Sequence, residues 1–520
     1  MIFAMNSLRS VIRPCMSVVY PKAKRIINSI ASTVRPMSSN EQHDRQLDHS
    51  IFLKSTVPHL MSAALDRSHK SPWLADSTVQ QVCDYYQRLT DEDKLGFLCA
   101  MASGMGVRHE KVMAEAAMLQ KQEGREEAVL LQAEGRLRQS LLPGYSTLFS
   151  HVSRLPGGVK FLVDLRANLL GHLSSTSSIR NEAELRALSE TLRELLIGWF
   201  AAGMLTLERV TWSSSCHMLE RISQYEAVHP IRNWTDIKQR VGPYRRCFVF
   251  THSSMPGEPL VILHTALMRD ISDSIQSIVR SQDAKDRKNV LPGEEEADEA
   301  QAAIFYSITS TQRGLQGVEL GNHLIKSVVK ELQSEFPSMH LFSSLSPIPG
   351  FKNWLITQIN QQVKDEESVT LLTMEELDSF QAAMDVASQP MLPLLKKVLV
   401  TNEWFQSESL KRSLKGPLMR LCARYLYLEK RRTFALNPVA NFHLQNGATM
   451  WRLNWLGDTS ARGLTASCGM MVNYRYFLEN TTALGQQYAE TQKIEASQQI
   501  LDLVHGQSTS GTNSQVNSKL

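Results

Sequence analysis

Two side chains that could carry out acid–base chemistry lie in short segments rich in residues that set backbone shape. Ser346 lies within Phe342–Phe351 (FSSLSPIPGF), and His443 lies within Asn437–Ala448 (NPVANFHLQNGA). Proline, glycine and asparagine in such segments fix turns rather than fill a core, so each side chain would be held in a defined place. Imidazole titrates near neutral pH, and a hydroxyl can relay a proton. The pair therefore predicts proton-transfer chemistry.

A third segment, Thr311–Leu320 (TQRGLQGVEL), could bind phosphate. It places glycines between a predicted strand, Ala303–Thr309, and a predicted amphipathic helix, Val318–Phe336. Backbone N–H groups at a turn that opens a helix are suited to receive phosphate oxygens. The segment is therefore a candidate anion-binding turn.

Hydrophobic periodicity indicates the elements that must position these groups. Residues 44–205 follow a helical pattern, whereas short apolar runs divided by glycine and proline follow from Thr206 onward. The further predicted elements are strands at Arg246–His252 and Leu260–Leu267, a largely helical insertion at Asp365–Lys415, a strand that carries Arg452, Asn454 and Trp455, and a terminal helix at Ile494–Val504.

This order predicts an α+β protein: an all-helical N-terminal domain, followed by a catalytic domain with a central mixed sheet. The strand–turn–helix–strand order suits an acyl-CoA-binding fold of the GCN5-related N-acetyltransferase type. The acetyltransferase fingerprint would place Arg or Gln at Gly314 and a small residue at Glu319, so the chain departs from it at both positions. Arg313 lies one position away from the expected place.

The three segments, in this order, resemble malonyl-CoA decarboxylase. The similarity covers about the last three fifths of the chain and includes these further strings: Val228-His229-Pro230, Arg240 to Cys247, Pro256 to Leu260, Ala303 to Ile308 and Asn473 to Phe477. The resemblance implies decarboxylation of malonyl-CoA to acetyl-CoA and CO2 without metal or organic cofactor, and through it control of the malonyl-CoA level in fatty acid oxidation and synthesis. It also implies the acetyltransferase-like fold.

The resemblance further implies roles for individual residues. His443 would be the proton donor, and Ser346 would contact the malonyl carboxylate as proton acceptor or relay. Glu319, Tyr476 and Ser307 would orient the acid or the histidine. The expected substrate-binding set comprises Gln316, Gly317, Val318, Glu319, Leu320, Gly321, Asn322, Ser346 and His443.

Other functions stay open on the residues alone. An acyl-CoA N-acyltransferase is suggested by the fold, and a non-catalytic organelle scaffold is suggested by the helical domain. A serine hydrolase is disfavoured because the sequence contains no Gly-x-Ser-x-Gly motif. A net charge of +4 over 520 residues and the lack of a long apolar run argue against nucleic-acid binding and membrane insertion.

Both ends of the chain carry features of targeting signals. Residues 1–40 contain six basic residues, several serines and no acidic residue, which predicts a mitochondrial transit peptide over residues 1–42. The chain ends in Ser518-Lys519-Leu520, a tripeptide that the peroxisomal import receptor recognises. The predicted domains are then a helical oligomerisation domain at 43–205, an acyl-CoA-binding catalytic domain at 206–505 and a flexible tail at 506–520. The expected locations are the mitochondrial matrix and the peroxisome, with the cytoplasm as a third.

The seven cysteines are scattered and show no metal-ligand spacing, which indicates a reducing compartment with free thiols. Cys216 lies in a polar run, and by composition it is an ordinary exposed thiol. The resemblance implies instead an intersubunit disulfide at Cys216. It also implies a homo-oligomer, a tetramer, built through the helical domain.

Overall fold

The structure is a computed structural model, and it describes residues 72–175, 181–279, 295–296, 299–318, 320–364, 370–385 and 390–505. The predicted transit peptide, Glu319 and the C-terminal tail with its Ser518-Lys519-Leu520 signal lie outside the described residues.

The described part of the first compact unit, which ends at Gly106, contains two helices. They are α1 (Pro72–Arg88) and α2 (Asp91–Met105). The Thr90 side chain caps α2 by accepting a hydrogen bond from the Asp93 N–H, and three acidic residues in the first turn favour the positive end of the helix dipole. The ring of Tyr86 packs on Phe97, with 5.1 Å between ring centroids.

The second compact unit starts at Val107 and begins with helices. These are α3 (His109–Gln120), α4 (Glu127–Leu141), α5 (Gly144–Val152), α6 (Gly158–Ser174) and α7 (Glu182–Trp199). The helical pattern before Ser140 is divided between α3 and α4 by a turn in which Gly124 has a φ of +81°. Along α6 and α7, leucines at helical spacing are buried, which is the packing that the pattern predicts.

In the described part of the chain, eight strands form one mixed sheet. The strands are β1 (Leu205–Val210), β2 (Arg245–His252), β3 (Val261–Met268), β4 (Ala302–Ser310), β5 (Leu341–Ser344), β6 (Ser346–Pro347), β9 (Thr449–Asn454) and β10 (Met471–Tyr476). The order is β1-β2-β3-β4-β5-β10-β6, and β9 pairs with β10. β4 and β5 are parallel, and the remaining pairs of this sheet are antiparallel.

The parallel pair depends on a helical crossover. β4 leads through a short 3-10 turn, Arg313–Leu315, into α11 (Gly321–Glu335), and α11 leads into β5. Parallel neighbours need such a connection because a hairpin cannot join them. The predicted order of strand, glycine-bearing turn, helix and strand is therefore confirmed.

The remaining elements flank the sheet. They are α8 (Cys216–Tyr225), α9 (Trp234–Arg240), α10 (Ile275–Val279), α12 (Phe351–Lys364), α13 (Met374–Met384), α14 (Met391–Thr401), α15 (Glu408–Tyr427), the short pair β7 (Lys430–Arg431) and β8 (Phe434–Ala435), α16 (Pro438–Gln445), α17 (Ala461–Ser467), α18 (Thr481–Thr491) and α19 (Gln498–His505). β2, β3 and β4 are buried along almost their whole length because elements cover both faces. The predicted class, an α+β chain with a helical N-terminal region before a mixed sheet, is confirmed.

Candidate active site

Ser346 and His443 lie on two different elements whose side chains meet, and local hydrogen bonds fix each element. Ser346 begins β6, where it pairs with Val472 of β10. His443 lies on α16, which is capped by Asn437: the Asn437 side chain accepts hydrogen bonds from the N–H groups of Val439 and Ala440. The His443 segment is thus a short helix rather than a turn, because Asn at the N-cap followed by Pro is a helix-start signal.

Asn437 also joins the two segments directly. Its Nδ2 donates a hydrogen bond of 2.9 Å to the Pro349 carbonyl, and the Tyr425 hydroxyl donates to the same oxygen at 2.9 Å. The next residue, Gly350, has a φ of +83°, and a Cβ there would lie 2.9 Å from the Tyr425 hydroxyl. The turn after Ser346 is therefore locked to the cap of the helix that carries His443.

A continuous hydrogen-bond chain links four side chains at this point. The Ser346 Oγ is 2.8 Å from the His443 Nε2, and the His443 Nδ1 is 2.7 Å from the Tyr476 hydroxyl. At the other end, Ser346 lies 2.8 Å from the Ser344 Oγ. All four residues are buried. Each group can both donate and accept, so the chain can conduct a proton in either direction.

The environment of His443 favours the uncharged imidazole. Burial lowers the pKa of His443 to about 3. The ring stacks on Tyr474, with 4.5 Å between centroids and 17° between planes. Burial also raises the pKa of Tyr476 well above its ordinary value, so this tyrosine stays protonated beside the imidazole.

Ser307 belongs to a second polar group and not to the hydrogen-bond chain of His443. Its Oγ donates to both carboxylate oxygens of Glu226, at 2.8 and 3.0 Å. The parallel pairing of β4 and β5 ends at Phe305 and Ser344, so Ser307 and Ser346 lie two residues further along neighbouring chain segments. The two polar groups therefore lie on adjoining strands where the parallel register stops.

Glu226 is held as a buried anion. Burial by itself raises its pKa, but the charge of His264 and the hydrogen bonds from the His229 N–H and the Ser307 hydroxyl outweigh this and lower the pKa of Glu226 to about 2. The His264 Nε2 lies 3.3 Å from the Glu226 Oε2 without hydrogen-bond alignment, so the contact is ionic. Burial opposes charge on His264, but its neighbours raise its pKa well above the ordinary value. We assign the pair as carboxylate and imidazolium, since each stabilises the other's charge.

The predicted phosphate-binding turn packs against the helical region. A Cβ on Gly314 would lie 1.8 Å from the Val163 carbonyl oxygen of α6, so only glycine fits. This contact explains the departure from the acetyltransferase fingerprint at Gly314. Gly317 has a φ of +80°, which glycine adopts readily. Of the predicted substrate-binding residues, Gln316, Gly317, Val318 and Leu320 lie in this turn and Gly321 and Asn322 begin α11.

A cavity of about 290 Å³ opens beside the hydrogen-bond chain. Tyr476 and Asn446 form part of its wall, and Lys326 and Lys330 of α11 lie at its side. The Asn446 Oδ1 is buried and has no hydrogen-bond partner among the described residues. The cavity thus offers apolar, polar and basic contacts next to a tyrosine that touches His443.

Several residues of this region were not identified by sequence reasoning. Ser344, Tyr474 and Asn437 lie within or beside the motifs, and the Asn437-Pro438 pair could have been interpreted as a helix start. Glu226 lies 81 positions before Ser307, and no local pattern connects them. Cys216 is exposed at the first position of α8, and its thiol is free in the single chain.

The described residues contain neither a candidate metal cluster nor a candidate membrane-spanning helix. Among them, no group of three or more His, Cys, Asp or Glu side chains is arranged to hold a metal ion. None of their helices is both long enough and apolar enough to cross a membrane.

Comparison with known proteins adds two matching family models. Residues 105–200 match the malonyl-CoA decarboxylase N-terminal domain, and residues 203–514 match the malonyl-CoA decarboxylase C-terminal domain. The chain is 50% identical over 457 residues to the mitochondrial malonyl-CoA decarboxylase of Mus musculus, covering 87% of this chain and 90% of that protein. It is 48% identical over 455 residues to the Anser anser anser protein of the same name, covering 87% and 88%.

Solved structures agree with this result. The malonyl-CoA decarboxylase of Rhodopseudomonas palustris superposes with a TM-score of 0.70 at 30% identity, covering 87% of this chain and 98% of that one. The malonyl-CoA decarboxylase of Agrobacterium vitis superposes with a TM-score of 0.71 at 28% identity, covering 86% and 99%.

Proposed function

The chain belongs to the malonyl-CoA decarboxylase family, and on that premise we propose that Ser346 and His443 are the groups with which it converts malonyl-CoA to acetyl-CoA and CO2. The protein is accordingly a carboxy-lyase. The observation that carries the assignment of the site is the 2.8 Å contact between the Ser346 Oγ and the His443 Nε2 inside a buried hydrogen-bond chain.

The reaction breaks the bond between the α-carbon and the carboxylate, and the electron pair stays on the α-carbon as an enolate. His443 gives its Nε2 proton to that carbon, which completes acetyl-CoA. Ser346 hydrogen-bonds the malonyl carboxylate before CO2 leaves. Afterwards it relays a proton from solvent to the imidazole, which replaces the proton given to the carbon. Tyr476 holds the Nδ1 side and fixes the ring orientation.

The low pKa of His443 in the free protein suits this sequence of events. The malonyl carboxylate brings a negative charge next to the imidazole, and a nearby opposite charge raises a histidine pKa. Binding of substrate therefore favours the imidazolium. When CO2 leaves, the charge moves to the α-carbon, and the same proton neutralises it there.

The coenzyme A part of the substrate would bind at Gln316 to Asn322. Support comes from the left-handed Gly317 and from the start of α11 at Gly321, where backbone N–H groups favour anions. The cavity beside Tyr476 could accept the adjoining arm of the substrate, and Lys326 and Lys330 supply positive charge near it. Glu319 keeps its proposed role of orienting His443. Ser307 would contribute through its hydrogen bonds to the Glu226 carboxylate.

Alanine substitutions at Ser346 and His443 test the catalytic assignment. Each single variant should lose at least ~100-fold in kcat while its affinity for coenzyme A is retained, because general acid–base groups contribute about that much. The double variant should be little worse than the more damaged single variant, since the two act as a unit. The assay follows CO2 and acetyl-CoA formed from malonyl-CoA without added metal.

Ser343→Ala is the matched control. Ser343 is a buried serine on β5, but its Oγ bonds to the carbonyls of Ser344 and Tyr474. It should keep nearly full kcat. If the Ser346 and His443 effects multiply in the double variant, the two residues perform separate tasks and the relay is wrong. If acetyl-CoA with an amine acceptor turns over faster than malonyl-CoA, the acyltransferase alternative replaces the decarboxylase.

We propose two compartments for the protein. The composition of residues 1–42 and the mitochondrial relatives support import into the mitochondrion. Ser518-Lys519-Leu520 supports import into the peroxisome through its receptor. Deletion of the tripeptide should abolish peroxisomal import without changing kcat, and deletion of residues 1–40 should abolish mitochondrial import.

We also propose that the chain forms a homo-oligomer, a tetramer, through its helical domain. α3 has no buried residue, and apolar side chains are exposed on α3 and α4, such as Met113 and Leu131. Exposed Cys216 could join two subunits by a disulfide. Sedimentation of the wild type and of Cys216→Ser, with and without reductant, distinguishes a disulfide-linked assembly from a non-covalent one.

A further inference from the structure

A buried arginine of the helical region contacts the proposed phosphate-binding turn. Arg166 lies on α6 and is 3% exposed. Its Nη1 donates to the carbonyl oxygens of Gly314 at 2.5 Å and of Gln316 at 2.8 Å. Its Nε donates to the Ser189 carbonyl of α7 at 3.3 Å. The guanidinium therefore links α6 and α7 to the carbonyl groups of Gly314 and Gln316 in the turn.

The contact is built into the packing on both sides. Gly314 allows the turn to approach the α6 backbone, where a Cβ would collide with the Val163 carbonyl oxygen. Arg193 of α7 reaches the next peptide and donates to the Gly317 carbonyl at 3.4 Å. Glu190 pairs with Arg193, whereas carbonyl oxygens orient the Arg166 guanidinium without neutralising it, so two arginines face one carboxylate beneath the turn.

Peptide planarity converts this contact into an orientation of one N–H group. In a trans peptide the C=O and the following N–H point in opposite directions. Arg166 holds the Gln316 carbonyl, so the Gly317 N–H points away from α6. Among the described residues this N–H donates no hydrogen bond, whereas those of Gln316 and Val318 bond to the Arg313 and Leu315 carbonyls. An outward-facing, unpaired N–H on a left-handed glycine is suited to an anionic oxygen.

We propose that Arg166 is a positioning residue for substrate binding: it fixes the 316–317 peptide so that the Gly317 N–H receives a phosphate oxygen of the coenzyme A diphosphate. This proposal rests on the proposed coenzyme A site at Gln316 to Asn322. It assigns the helical region a part in substrate affinity that acts through the turn.

A pair of substrates separates this role from a general loss of structure. Malonyl-CoA carries the diphosphate, whereas malonyl-pantetheine has the same thioester and no phosphate. Arg166→Met should lower kcat/KM for malonyl-CoA by roughly 10-fold or more, through KM, because a hydrogen bond to a phosphate is charge-assisted. Its kcat should stay within about threefold, and kcat/KM for malonyl-pantetheine should change little.

Three further variants complete the test. Arg166→Lys keeps the charge but loses the two-carbonyl fork, so it should fall between the wild type and Arg166→Met. Gly314→Ala displaces the same turn from α6 and should reproduce the selective loss. Arg186→Met, on the exposed side of α7 and paired with Glu182, is the control and should match the wild type. Thermal unfolding of each variant reports whether it folds.

The outcomes distinguish the two levels of the proposal. A preference for malonyl-CoA that falls in Arg166→Met and Gly314→Ala supports it. An unchanged preference, or a parallel loss with both substrates, overturns the role of Arg166 and leaves the coenzyme A site in place. If the wild type itself shows no preference for malonyl-CoA over malonyl-pantetheine, the turn does not bind the diphosphate, and the proposed site fails first.

Discussion

The Tyr476 hydroxyl offers the sharpest test of the hydrogen-bond chain. Tyr476→Phe removes one oxygen, 2.7 Å from the His443 Nδ1, and keeps the ring that packs against Phe305. The strand β10 keeps its backbone pairing. The substitution therefore changes one contact of the imidazole and little else.

The expected loss follows from the burial of that contact. Without the hydroxyl, the Nδ1 of a buried imidazole has lost its partner, which costs about 1–3 kcal/mol. If the reaction needs the imidazole in this orientation, the same energy is added to the activation barrier. At about 1.4 kcal/mol for each factor of ten, kcat should fall roughly 5- to 150-fold. KM should change little because the ring that forms part of the cavity wall is kept and the lost hydroxyl is the one bonded to His443.

Tyr474→Phe is a matched control on the same strand. Tyr474 also contacts His443, by ring stacking, but its hydroxyl has no hydrogen-bond partner among the described residues. Its removal should leave kcat within about twofold, since no hydrogen bond is lost. Steady-state release of CO2 from malonyl-CoA by both variants and the wild type gives the comparison. Equal kcat values for the two variants would refute the idea that the Tyr476 hydroxyl orients His443.

Three other predictions follow from the same region. The pKa of His443, lowered to about 3 by burial, predicts that its ring proton resonances do not titrate between pH 5.5 and 8 in the free protein; a midpoint near 6.5 would contradict the buried neutral imidazole. Glu226→Gln leaves the buried His264 without its anion and should lower the free energy of unfolding by about 3–5 kcal/mol at pH 7 in urea titration. Because the pKa of Glu226 is lowered to about 2, the stabilisation by its carboxylate is present above about pH 4.5 and is lost as the pH falls through about 2. The difference in free energy of unfolding between wild type and variant should therefore be larger at pH 7 than at pH 3, and the opposite order would contradict the assignment. Asn437→Ala removes a helix cap and the bond to Pro349, so it should cost about 1–2 kcal/mol of stability and also lower kcat; a stability loss with unchanged kcat would show that the cap does not position His443.

Local patterns were sufficient to predict much of the sheet. The apolar runs at Arg246–His252, Leu260–Leu267 and Ala303–Thr309 correspond to β2, β3 and β4 within one residue at each end. Whether a short run forms a strand depends on its residue types and their spacing, and both can be seen in the sequence. The order of strand, turn, helix and strand was predicted as well, and the intervening helix is the connection that the parallel pairing of β4 with β5 requires.

The composition of the site was harder to predict because its contacts are distant in sequence. Ser346 and His443 are 97 positions apart, and no local rule reports that their side chains meet. Glu226 and Arg166 are charged residues at unremarkable positions, and only burial distinguishes them from solvated ones. The interpretation of the His443 segment as a turn gave too little weight to Asn437 as a helix cap.

The position of β10 in the sheet determines when during synthesis the site can exist. β10 pairs with β5, β6 and β9, and it carries Tyr476. A nascent chain that has not yet exposed residue 476 therefore lacks the strand that holds Ser346 against the rest of the sheet. Until then the edges of β5 and β6 have no partner from β10, and unpaired edges are the places where chains associate wrongly. A nascent chain that ends between residues 443 and 476 therefore contains Ser346 and His443 but lacks the strand that completes the site around them.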